Sequence, residues 1–244
     1  MMVFASASPI NWVLIVVAAI LIGFVLNGRR MGFIRTVFTL FSTIIAIMLT
    51  IWVSPIISKE AQKNEKLMDF TTKKIQKIID YEEKGDKADK VTDQVSFIGK
   101  LPLPKAMRES LVENNNKEVY KAMAVDNFKE YVSQSVSRMV INAGAFLVVF
   151  IIVSIALSVI CLALDILSKL PLINGLNKTA GLLAGLLQGI VVVWVLFLVL
   201  TVFAGTEGGQ KVFQMINDST FLSVLYNNNM LLKFITNLGQ VLLS

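Results

Sequence analysis

The sequence has no histidine in its 244 residues and only one cysteine, Cys161. The missing histidine removes His-ligated zinc, Ser-His and Cys-His nucleophile pairs and histidine proton relays in one step. A lone cysteine forms no disulfide within the chain, so it gives no sign of the redox compartment. Cys161 lies in an apolar run, away from any charge that would activate it, and it reads as a buried structural thiol. Charge is also scarce, at 16% of residues, against 55% hydrophobic residues and a mean hydropathy of +0.68. That balance is too apolar for an ordinary soluble domain, and the apolar residues are gathered into long blocks. The chain therefore reads as an all-α integral membrane protein.

The net charge of +6 does not point to nucleic acid. Part of the excess sits in a short loop between apolar runs, and loops on the cytoplasmic side collect Lys and Arg. The rest is spread through a segment where acids and bases alternate, so no one-sign patch forms.

The most organised stretch is Leu170 to Val199. A turn containing Pro171, Gly175 and Asn177 is followed by an uncharged run from Thr179 to Gly205, long enough to cross a bilayer as one helix. Gly181, Gly185 and Gly189 recur every fourth residue and share a helix face that lets another backbone come close. Gln188 sits beside this face, either bonding across to another helix or lining a polar cavity.

Three further uncharged runs complete four spans, expected as two hairpins. Ile10 to Leu26 precedes Arg29 and Arg30, the reverse of the charge order in a cleavable signal, so an uncleaved first span is expected. GRRMG, residues 28–32, reads as a tight turn; Arg35 follows, and Thr36 to Ile57 forms the second span, ended by Pro55. Arg29, Arg30 and Arg35 at the tip give a positive-inside signal, with both chain termini outside. Trp12 and Trp52 then fall at the outer interface. On the second span Ser42, Ala46, Thr50 and Ser54 form a small, weakly polar stripe; on the third, Met139 to Leu164, Ser154 and Ser158 do the same. Such stripes pack helices or line a pore, and packing is the preferred reading. Asp165 closes the third span with Lys169 one turn on, as an interfacial ion pair or as a functional charge.

Between the hairpins, Ser58 to Ser137 carries fifteen Lys/Arg and fourteen Asp/Glu. Leu67, Phe70, Ile75, Ile78 and Ile79, and later Val119, Met123, Phe128, Tyr131 and Val132, repeat at helical spacing. About three helices are expected there, broken at residues 82–90 and at KLPLPK, residues 100–105. The expected divisions are 1–58, a first hairpin; 59–137, a helical extramembrane insertion; 138–205, a second hairpin; and 206–244, a tail. In the tail, Leu231, Leu232, Phe234, Ile235 and Leu238 make an amphipathic helix too short to span, lying on the outer leaflet or packing on the insertion.

Two pieces, Asn11 to Ile47 with its basic Gly-flanked turn and Lys169 to Val199 (KLPLINGLNKTAGLLAGLLQGIVVVWVLFLV), resemble the colicin V production protein family. A third piece, Ile216 to Ile235, is similar to tails of longer members. The resemblance implies a multi-pass protein of the bacterial cell membrane, needed for bacteriocin production at the level of export or envelope. It brings no catalytic residues and no cofactor. The expected function is therefore non-enzymatic: toxin biosynthesis or secretion, or envelope upkeep, through a membrane or envelope partner, with the lipid bilayer as the other partner and self-association admitted by the glycine face. The alternative is an oligomeric channel or transporter component lined by Ser42, Thr50, Ser154, Ser158 and Gln188. Coupled transporters usually place charges or broken helices near the midplane, and these spans have neither.

Overall fold

The structure, a computed structural model, describes residues 10–79, 91–163 and 176–241. In these residues, four helices are long and apolar enough to cross a membrane. They are α1 (Trp12–Met31), α2 (Phe33–Lys63), α7 (Phe128–Ala163) and α8 (Leu176–Val202). α3 (Glu65–Gln76), α4 (Val91–Lys100), α5 (Lys105–Glu113) and α6 (Lys117–Met123) make up the insertion; α9 (Glu207–Asn217), α10 (Thr220–Asn227) and α11 (Met230–Val241) make up the tail.

Asn11 starts α1, its side chain accepting from the Leu14 N–H at 3.1 Å. The helix runs through Gly28, Arg29 and Arg30, so the tight turn expected over 28–32 narrows to Gly32, at φ +82°. Positive φ costs a glycine little, and at Gly32 the Asn177 amide would also crowd a Cβ. Gly28 stays helical because its backbone is buried against α8, a tertiary contact that outweighs glycine's poor helix propensity. With one residue between them, α1 and α2 are not each other's main neighbours. α1 lies along α8 and α2 along α7.

α2 also continues past Pro55 to Lys63, where the sequence suggested an end. Proline removes one backbone hydrogen bond, but within lipid the rest of the backbone has no partner other than its own helix. α7 is 36 residues long, about 54 Å at about 1.5 Å per residue, so it outruns a hydrocarbon core of about 30 Å. Its N-terminal part is a wall of the cap, the body formed by the insertion helices α3 to α6, and the boundary at 137/138 falls inside a continuous helix.

Cap and tail share one core. Met107 and Leu111 of α5, Tyr131 of α7, Phe213 of α9, Tyr226 of α10 and Ile235 of α11 are almost wholly buried in it. Ile75 and Ile79 are buried as their spacing suggested, whereas Leu67 and Phe70 of the same series face out. Of the two places expected for the tail helix, α11 takes the second, packing on α5, α7 and α8. Each tail helix starts on a side-chain cap: Thr206 accepts from Gly209, Ser219 from Leu222, and Asn229 from Leu231 and Leu232. The tail is tied to α8 by Asn229 Nδ2 donating to the Trp194 carbonyl at 3.0 Å and Trp194 Nε1 donating to the Leu225 carbonyl at 3.1 Å. Asn229→Ala removes the cap and the tie together. It should cost about 2 kcal/mol, and limited proteolysis should show faster cleavage around residues 227–229.

The outer surface of the spans is apolar. Ile45, Met48, Trp52 and Ile56 on α2, and Ile152 and Ile155 on α7, are exposed. A continuous apolar belt of this extent is the surface that lipid covers.

Candidate functional site

Two features within the spans carry the polar and small residues. The first is the α1–α8 contact. A Cβ on Gly181 would run into the Gly28 carbonyl, one on Gly185 into the Phe24 carbonyl, and one on Gly28 into the Gly181 carbonyl. On Gly189 it would meet Phe24 Cβ at 3.0 Å and Leu21 Cδ2 at 3.2 Å. The two backbones thus touch where side chains are absent, and Gly28 is the reciprocal member. Gln188 is buried beside this face.

The second feature is the α2–α7 seam. Every fourth residue of α2 from Ala46 to Ser58 is almost fully buried: Ala46, Thr50, Ser54 and Ser58. At the cap end Ser58 Oγ donates to Asn142 Oδ1 of α7. Gln62 Nε2 donates to the same oxygen at 2.6 Å and to Ser58 Oγ at 3.1 Å, while Asn142 Nδ2 donates to the Ile235 carbonyl of α11 at 3.4 Å. One amide therefore joins two spans and the tail. Residue 142 lies four places into an apolar block, where a search confined to charges passes over it; a lone amide in a span was the available signal.

Toward the arginine end the seam opens into a cleft of about 340 Å³ between Ser42 and Ala46 on one wall and Ser154, Ser158 and Cys161 on the other. Three of its hydroxyls are spent on their own helices: Thr39 on the Arg35 carbonyl at 3.0 Å, Thr43 on the Thr39 carbonyl at 3.0 Å, and Ser158 on the Ser154 carbonyl at 2.7 Å. Deeper in, Thr50 Oγ1 donates to the Ala46 carbonyl at 2.7 Å. The structure thus brings Ser42, Ser154 and Ser158 together, and Gln188 does not line their cleft. Arg29 and Arg30 are exposed and Arg35 is half-buried, all at one end. Asp165, Lys169 and the Pro171–Gly175 turn lie outside the described residues.

Residues 119–230 match the colicin V production protein family. The resemblance read from the residues alone is thereby confirmed over α7, α8 and most of the tail. The match takes in Asn142, Ser154, Ser158, Gln188 and all three glycines of α8. It does not extend to α1, α2, α3, α4 or α5. No curated protein and no solved structure matches the chain. Over residues 119–230 the chain is similar to the colicin V production protein, and its described residues carry four helices long and apolar enough to cross a membrane.

Outside the spans, Tyr226 of α10 is fully buried, and that burial pushes its hydroxyl pKa up, so the group stays neutral. Its hydroxyl pairs with Thr201 Oγ1 of α8 at 3.0 Å, which fixes the tail to the membrane helices without charge.

Proposed function

We propose that this protein is a non-enzymatic component of toxin (bacteriocin) production or secretion, or of envelope upkeep, in the bacterial cell membrane, and that it works by binding a membrane or envelope partner. The arginine end faces the cytoplasm, and the cap, the tail and both termini face outward. The observation that carries the reading is the surface of the tail. Phe221 and Val224 share one face of α10, and Met230 begins α11; all three are exposed, at 50%, 57% and 70%, on a body anchored to α8 by Trp194 and Asn229. Rigid exposed apolar groups of this kind mark interaction surfaces. A photocrosslinking residue at Val224 in growing cells should capture one recurrent envelope or membrane protein, and Phe221→Ser should abolish that adduct. Adducts with lipid alone, unchanged by Phe221→Ser, would contradict it.

The second reading, an oligomeric channel or transporter component, is favoured by Ser42, Ser154 and Ser158 meeting in one open cleft. Within one protomer the seam is closed at Thr50 and Ser54, so a conduit would have to form between copies. Proteoliposomes should then leak an ion or small solute, and Ser154→Leu should change the leak; tight liposomes rule the conduit out.

A further inference from the structure

The cleft between α2 and α7 has walls and a charge that select its occupant. Phe38, Ala46 and Leu157 supply hydrocarbon, and the cleft lies between two spans. The hydroxyls of Thr39, Thr43 and Ser158 already donate to carbonyls of their own helices. These three side chains present methyl and methylene groups to the cleft. One turn below Thr39, on the same face of α2, stands Arg35. Its Nε is buried and, among the described residues, has no hydrogen-bond partner, an arrangement costly for a guanidinium unless an anion completes it.

We propose that the cleft holds one acyl chain of an anionic phospholipid, with the Arg35 guanidinium taking the phosphate. The two halves of the site match the two halves of such a molecule: hydrocarbon along Ala46 and Leu157, and a negative headgroup at the arginine end, where Arg29 and Arg30 add positive charge. Basic pockets between spans at the end where Lys and Arg collect bind anionic headgroups in this way. A bound chain also replaces the side-chain contacts that α2 and α7 lack where they part, so the lipid is a structural filler as well as a ligand. The site is distinct from the apolar face of α10, so the partner-binding reading can fail while this one stands.

Native mass spectrometry of the full chain, released from nanodiscs of equal phosphatidylglycerol and phosphatidylcholine, tests the proposal. One phosphatidylglycerol should be retained per protomer, about fivefold over phosphatidylcholine, and Arg35→Gln should bring that ratio near one. Alkylating Cys161 in the unaltered protein with a bulky maleimide, or filling the cleft with Ser154→Phe, should remove the retained lipid. Ile155→Phe, on the lipid-facing side of α7, should not. Equal retention of the two lipids by the unaltered chain, or retention untouched by the Cys161 label, overturns the proposal. So does efficient Cys161–Cys161 crosslinking, which would make a second copy the occupant.

Discussion

Gly185→Ala separates α1 from α8 and costs about 3 kcal/mol, the upper end of overpacking penalties, because the new methyl meets backbone atoms that cannot rotate away. The obstructing groups are the Phe24 carbonyl and Gly28. Gly181→Ala meets the Gly28 carbonyl and should behave alike. Gly23 on α1 and Gly144 on α7 are the contrast, since nothing lies within 4 Å of a Cβ at either. Alanine there should be neutral or stabilising by up to about 1 kcal/mol, from helix propensity alone. Reversible unfolding in mixed micelles reads all four. If Gly185→Ala unfolded like Gly23→Ala, the close backbone contact would not exist in the membrane.

The second large effect falls on Asn142. Asn142→Leu strips Ser58 and Gln62 of their common acceptor and should cost about 2 kcal/mol, the penalty for leaving buried polar groups unsatisfied rather than the worth of the bonds. Replacing all three polar groups, Ser58→Ala, Gln62→Leu and Asn142→Leu together, should return most of that loss, because apolar groups in the same space leave nothing unpaired. A strongly non-additive cycle is therefore the signature. Additive losses would mean that the three side chains act separately.

These two sites show what a one-dimensional reading can and cannot reach. The spans are legible because twenty or more uncharged residues have one stable solution in lipid, and the α8 glycines because a four-residue period marks a single helix face. Their partner Gly28 is not: GRRMG has the composition of a turn, and only the arrival of α8 makes it helical. Pro55 reads as a stop because soluble helices end at proline, whereas lipid leaves the backbone no better choice. Asn142 is hidden by an uncharged background, although its neutral amide is the most connected side chain of the seam. In the tail, the caps at Thr206, Ser219 and Asn229 were in plain view and would have divided it into three helices. That α11 packs on α5, α7 and α8 depends on distant pairings that local periodicity does not encode.

In the proposed orientation the spans set the cap and tail on the opposite side of the membrane from the arginine tip. In a Cys161→Ser background, Lys66→Cys on α3 and Arg30→Cys at the end of α1 place single thiols at two exposed positions. With a membrane-impermeant maleimide on intact cells, the thiol at 66 should label at once and the thiol at 30 only after permeabilisation. Labelling at 30 with protection at 66 would reverse the orientation and remove the basis for an outward-facing partner surface.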